Sequence, residues 1–562
     1  MIRPEKFTAK LVAFLVLLAV AFGAAKAQEP PKEYRQRLLV QGSWFHGVHG
    51  LAFNKDDQLF AGSVVGQTIY RVQVDTGEVD RFIDRPVGMA DDIAFSEDGT
   101  MAWTSFLQGK VYIRRANGNR NIEVATGMSG PNSLAFSKDG KLYVSEVFLG
   151  DALYEIDIKN VDRPDFKAFQ RAELRRVAEK LGGLNGFEIR RDDGFLYGPL
   201  WFKGEVVKLN LESGVMEVVA QGFTTPAAAN IDPSNTDNLY VIDTATGQIW
   251  SVSLTSRNRR LVASMKPGLD NLAFDSRGRL FVSSMADNGI YQVDKHTGAW
   301  RTVVEGKLAI PADIAVTTDG AKETLHVADV FSYRVVDGQS GAVGDVLRVH
   351  GDNHAYPIGI SVGPKHILLS SWFSNTVEKV DRKTGKLVAT LADFTTPVDA
   401  IETADGSIYV AELATGNLVK VSADGKTRTI AAKDLRGATA MAQGPGNLVY
   451  ITEIAAGAVL QIDVVSGARK VVADGLAGPE GIDVGPDGRV YVAEVGQQRV
   501  IAIDPANGKK TVIASNLDIG LQTYPGGPPF LVPTGVAVAK SGTVYVSSDL
   551  RNAIYKLTPP PP

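Results

Sequence analysis

One phrase recurs twelve times along this 562-residue chain: a small or polar pair, alternating apolar residues, then a polar turn. The copies are HGLAF (from His49), DDIAF (Asp91), NSLAF (Asn132), NGFEI (Asn185), AAANI (Ala227), DNLAF (Asp270), ADIAV (Ala312), IGISV (Ile358), VDAIE (Val398), TAMAQ (Thr439), EGIDV (Glu480) and TGVAV (Thr534). Successive copies start 40 to 46 residues apart, except for steps of 53 (Asn132 to Asn185) and 54 (Glu480 to Thr534). A unit this short cannot bury a core alone and must stack on its neighbours. A period of about 40–45 residues is that of a four-stranded propeller blade.

Each copy continues in the same way. After NSLAF come a polar turn (SKDG), a second strand (KLYVSE), a short loop and a third strand (ALYEIDI). Alternation at period two, with β-branched and aromatic residues punctuated by Asp-Gly and Thr-Gly turns, marks antiparallel strands. Six such blades make a domain of ordinary size, whereas one ring of twelve would be unusually wide. The expected fold is therefore all-β: two tandem six-bladed β-propellers at 43–307 and 308–558, with twelve four-stranded blades. The twelfth copy runs out of chain after three strands. The segment Tyr34–Gln41 (YRQRLLVQ) is similar to outer strands such as Arg259–Ser264 (RRLVAS), while the sixth blade already has its own at Trp300–Glu305. The N-terminal segment 28–42 is thus expected to supply the closing strand of blade twelve.

The first residues have the form of a secretory signal peptide over 1–27: Arg3, Lys6 and Lys10, an apolar run from Leu11 to Phe22, then Ala25-Lys26-Ala27. Cleavage is expected near Gln28, leaving no stable membrane span. With no cysteine in the chain, an exported protein held by burial alone fits a bacterial periplasm or the extracellular space. The net charge of −4 and the lack of a basic stripe argue against nucleic acid as a partner. No HExxH, CxxC, Walker or GxSxG pattern is present, which removes the commonest metalloprotease, redox, nucleotide and serine-hydrolase readings. Residues 559–562 are a Pro-rich tail.

Three segments exceed the repeat. PDFKAFQRAEL, between Lys159 and Arg175, reads as a short helix decorating blade three. Gly351–Pro357 (GDNHAYP) and Leu521–Pro533 lengthen connections on the face where propeller ligands sit, and are expected as lids over the second ring. A second site there would gather His350, Asp352, His354, Tyr356, Trp372 and Tyr524 over Glu480.

The first residue of each phrase opens an innermost strand, so six of them ring each channel mouth. In the first ring they are His49, Asp91, Asn132, Asn185, Ala227 and Asp270, with Asp92 and Asn271 alongside; in the second they are Ala312, Ile358, Val398, Thr439, Glu480 and Thr534. Only the first is strongly polar. Converging carboxylate and amide oxygens must be satisfied. A divalent cation, Ca²⁺ foremost, would do so through Asp91, Asn132, Asn185, Asp270 and Asn271. The alternative is that these side chains bond one another, strand amides and water. His49, with Asp91, is the candidate proton carrier. Loops on the same face supply Trp44, Phe45, Phe106, Phe148, Trp201 and Phe202 as walls of a small-molecule pocket. Glu146, Glu412, Glu453 and Glu494 recur too regularly to mark one site and are expected to brace loops.

GPNSLAFSKDGKLYVSE (Gly130–Glu146), GLNGFEI (Gly183–Ile189) and LDNLAFDSRGRLFVSS (Leu269–Ser284) resemble the inner-strand motifs of the gluconolactonase, regucalcin and paraoxonase group. Streptogramin lyases and NHL-repeat proteins have a similar repeat texture. The resemblance implies a six-bladed ring holding Ca²⁺ or another divalent ion, with Asn132 and Asn185 as amide ligands and Asp270 with Asn271 as the Asp-Asn pair. Two departures stand out: Ala227 intervenes between Asn185 and Asp270, and His49 occupies the position of the first-blade Glu. Asp91 would compensate across the ring. The function so implied is an exported metal-dependent hydrolase of lactones or esters, with the second propeller as scaffold or recognition module. The alternatives are a non-catalytic binding protein and a C–O lyase with His49 as base.

Overall fold

The computed structural model describes residues 34–561; the expected signal peptide lies outside them. The strands form twelve sheets, of four strands each save one of five. Apart from the outer strand of blade twelve and the fifth strand of blade two, each is a meander in sequence order, as in blade one: Leu51–Phe53, Leu59–Ser63, Thr68–Val72 and Val79–Ile83. Second strands such as Leu142–Glu146 are buried along their whole length. Both faces are covered because each blade lies between two others, which is why these strands carry more apolar residues than simple alternation requires.

Two closed rings result. The inner strand of blade one packs against Ala90–Phe95 of blade two and Leu269–Phe274 of blade six; Ile314–Asp319 of blade seven packs against Gly359–Val362 of blade eight and Val536–Val538 of blade twelve. The N-terminal strand Arg35–Val40 pairs antiparallel with Ala553–Thr558, from Arg35 opposite Thr558 to Val40 opposite Ile554. It is the outer strand of blade twelve, so the whole first ring is inserted between this strand and the rest of the second ring.

The insertion in blade three is not a helix. Phe169–Gln170 pairs in parallel with Ile122–Thr126 as the fifth strand of blade two, and a single 3-10 turn, Arg171–Glu173, follows. Phe166 and Phe169 pack on the core between blades two and three, and that anchorage holds the segment extended.

The loop faces of the two rings meet. Arg348 of the second ring donates to both carboxylate oxygens of Asp287 (2.8 and 2.9 Å) and to the Pro267 carbonyl, and Arg334 donates to the Ala286 carbonyl. Gln67 of the first ring donates to the Gln522 carbonyl (2.7 Å). One buried cluster joins Val65, Met285 and Ala286 to Ala312, Phe331 and Ile358 across the junction. Gly47, at φ +69°, is required there because a Cβ would collide with the Phe331 ring. Leu521, Phe530 and Val532 belong to the same cluster as Val398 and Ala438. The 521–533 loop therefore plugs the mouth of the second ring with apolar side chains instead of forming a lid over a site.

Candidate functional site between the rings

The carboxylates that end second strands are structural. Glu146 accepts the Ser129 amide, Glu412 that of Thr395, Glu453 that of Arg436 and Glu494 that of Ala477. Each braces the loop that enters its own blade. Asp243, Asp329 and Asp549 do the same with two amides apiece.

At the first mouth the structure brings His49, Asp91, Asp270 and Asn132 together. His49 Nδ1 lies 3.2 Å from Asp270 Oδ2 and 3.5 Å from Asp91 Oδ1, and the three side chains are 12%, 17% and 15% exposed. The imidazole thus stands between two carboxylates at the edge of solvent. Burial pulls its pKa down, but Asp270 and Asp91 outweigh that and raise it. Burial pushes Asp91 up to about 7 against the pull of His49, with the Asp270 charge adding to the rise. His49 Nδ1 is committed to this pairing; its Nε2 makes no hydrogen bond among the described residues.

The candidate metal ligands are already engaged with protein protons. Asn132 presents Nδ2 to Asp91 Oδ2, and its Oδ1 accepts from Ser133 Oγ (2.9 Å). Asn185 Oδ1 accepts from Ser133 Oγ and from the Gly186 amide. Asn271 donates Nδ2 to Asp92 and accepts the Leu272 amide. Asp92, pushed up to about 8 by burial, takes the amides of Ile93 and Leu134 as well. Asn185 and Asn271 thus serve the inner strands. Among the described residues no group of three or more His, Asp or Glu side chains is disposed to hold a metal ion. This donor set, as arranged, is taken up by protein protons, and the group that faces Asp91 and Asp270 is the His49 imidazole.

Of the proposed walls, Phe106, Phe148, Trp201 and Phe202 do gather. Phe148 meets the other three rings at 6.3, 5.3 and 5.8 Å. Phe45 does not belong with them: it is fully buried in the core of blade one against Tyr70. Trp44 lies on the strand-to-ring crossover, its carbonyl accepting from Tyr70 Oη, and has no ring contact with this group among the described residues.

Sequence reasoning missed the contribution of the second ring. Phe331 packs on His49 (5.8 Å) and on Tyr356 (5.8 Å), and His350 packs on Trp201 (5.2 Å). The 351–357 loop therefore overhangs the first ring's mouth. His354 pins it by bonding to Glu378 (2.6 Å), so His354 is structural, and Glu480 is occupied by the Thr534 amide. Only the docking of the two rings makes these neighbours, and no periodic pattern encodes that.

Comparison with known proteins gives a family match over residues 235–512, to the family described as outer membrane protein assembly factor BamB. The match begins in blade five and ends in blade eleven, crossing the boundary between the rings, and so follows the blade repeat. A streptogramin B lyase structure is similar at 14% identity (TM-score 0.29), covering 59% of this chain and 93% of that one. Virginiamycin B lyase from Staphylococcus aureus is similar at 14% identity (TM-score 0.30; 59% and 94% covered). The extracellular domain of a putative one-component system from B. thetaiotaomicron is similar at 10% identity (TM-score 0.34; 92% and 76% covered). At scores this low none of these likenesses carries an argument about activity. No curated protein sequence matches the chain.

Proposed function

We propose that this protein is an exported hydrolase of lactones or esters that works by proton transfer through His49, in the space between the two propellers. The observation that carries the reading is the His49 geometry: Nδ1 held by Asp270 with Asp91 beside it, Nε2 uncommitted, at a mouth walled by aromatic rings. A base oriented by a carboxylate, with its second nitrogen free, is the arrangement that general acid–base catalysis needs. Neutral His49 takes a proton at Nε2 from a water whose oxygen bonds to the carbonyl carbon. The two carboxylates stabilise the imidazolium so formed. That proton then passes to the departing alkoxide as the C–O bond breaks, leaving acid and alcohol and restoring neutral His49. The signal-peptide pattern read in residues 1–27 and the lack of cysteine support export.

The resemblance to metal-dependent lactonases suggests a divalent ion at this mouth, but the pairings of Asn132, Asn185 and Asn271 favour the metal-free route. The test is a panel of lactones and esters assayed with and without chelator, on the wild type and on His49→Gln. Turnover that survives chelation and falls by about 10²–10⁴ in the variant is the expected result. Strict dependence on a bound divalent ion, or an active His49→Gln, overturns the proposal. An unsaturated acid as product would assign His49 to elimination instead.

A further inference from the structure

Six aromatic rings form an unbroken run that crosses from one propeller to the other. Phe106 meets Phe148, Phe148 meets Trp201, Trp201 meets His350, His350 meets Tyr356, and Tyr356 meets Phe373, with centroids 5.2 to 6.3 Å apart. Four of these five contacts are edge-to-face, at 72° to 80°. The first three residues belong to blades two, three and four, the last three to the second ring. Through Phe331, which touches both Tyr356 and His49, the run comes within one ring of the proton carrier.

Two further features set the run apart from ordinary core packing. Two of its members face water: Phe148 is 48% and Phe373 38% exposed. Through the rings between them, these two exposed rings are joined into one continuous aromatic surface. In addition, Phe148 (φ +67°) and His350 (φ +69°) both sit in the left-handed region, which bulky side chains rarely adopt. The surroundings hold His350 there: Tyr356 Oη lies 2.9 Å from His350 Nε2, and Val349 bridges to His354. Burial lowers the His350 pKa to about 4, which favours the neutral ring in this contact. The chain thus spends backbone strain on presenting these rings.

We propose that this run is the substrate-specificity surface of the site, that it selects ligands carrying a planar aromatic group, and that the second propeller supplies half of it through His350, Tyr356 and Phe373. Rings set edge-to-face expose alternating faces and edges, a surface that another aromatic ring complements better than an aliphatic group of equal size. The carboxylates at the floor lie against His49 and not against the aromatic run. An aryl group lying on the run would bring a bond attached to it toward His49. The inference rests on the proposed role of His49 only for that last placement.

Binding of 4-nitrobenzyl alcohol and of cyclohexylmethanol, neither of which has a bond to hydrolyse, tests it by calorimetric titration of the full chain. The aromatic alcohol is expected to bind saturably and at least tenfold more tightly than the aliphatic one, with that preference lost in Tyr356→Leu and in Phe148→Leu. Phe148→Leu, at the exposed rim, keeps the test valid if Tyr356→Leu does not fold. Equal affinity for the two alcohols, no saturable binding, or a preference unchanged in both variants overturns the inference. Aromatic preference in a protein that hydrolyses no ester would leave the inference standing and remove the hydrolase reading. Hydrolysis of aryl and alkyl esters with equal KM would do the reverse.

Discussion

At the scale of single residues, the site is governed by which group balances the charge of Asp91 and Asp270. The types and positions of these residues were legible in the sequence, because the first residue of each inner strand must face the channel. What was not legible is the direction of an amide: Asn132 looks like an oxygen ligand until its nitrogen is seen to face Asp91. His49 was legible as a channel residue and candidate proton carrier, but the pairing that orients it depends on Asp270, five blades later in the chain. Two outcomes follow from the raised His49 pKa. A reaction that uses neutral His49 as base should speed up with rising pH, because the imidazolium persists to a higher pH than in a free histidine; a kcat/KM profile that falls over the same range would contradict the role. Replacing Asp270 by Asn removes the largest influence that raises this pKa. Histidine NMR should then show the His49 titration shifted to lower pH and the ascending limb of the rate profile shifted with it.

At the scale of elements, the inner strands pose a problem that the fold solves with carboxylates. Neighbouring inner strands fan around a channel and share only single backbone bonds near their starts, such as Gly50 to Asp91, so further amides need other acceptors. Asp92 accepts the amides of Ile93 and Leu134, Asp313 those of Ile314 and Ile360, Asp399 those of Ala400 and Met441, and Asp483 those of Val484 and Val538. Each stitches its own strand to that of the next blade. Burial raises all four: Asp92 to about 8, Asp313 to about 7, Asp483 to about 6, and Asp399 well above the usual range. A folded-state pKa raised above the unfolded one contributes stability that is present below about pH 4 and lost as pH rises through the folded value. The midpoint of thermal unfolding should therefore fall between pH 5 and pH 8, and Asp92→Asn should flatten that slope; a midpoint that climbs through this window would show the opposite linkage. The strands, hairpin turns and closing N-terminal strand were readable because period-two alternation repeats twelve times. The blade-three insertion was misread because Phe166 and Phe169, three residues apart, suit one face of a helix as well as they suit an extended segment anchored at two points on a neighbouring core.

At the scale of the whole molecule, the rings are joined at both of their shared boundaries. Their mouths share the cluster around Phe331, and Arg348 of one is bonded to Asp287 and Pro267 of the other with its side chain only 7% exposed. None of this was readable beforehand, since single docking residues have no periodicity. Removing one partner of a buried ion pair costs about 3–5 kcal/mol, so Arg348→Ala should loosen the junction while leaving each sheet paired. The closing strand offers a sharper test of how far the rings depend on one another. Leu39 and Val40 pack with Leu308, Ile314 and Leu325, and so tie blade twelve to blade seven across the only seam in the second ring that no continuous chain spans. Leu39→Ala deletes a buried side chain at a cost of about 2–5 kcal/mol without touching the first ring. If the shared cluster makes the rings one cooperative unit, calorimetry should show a single transition in wild type that moves down as a whole in Leu39→Ala. Two transitions, of which only one moves, would mean that the rings fold separately and that the site between them is assembled by docking alone.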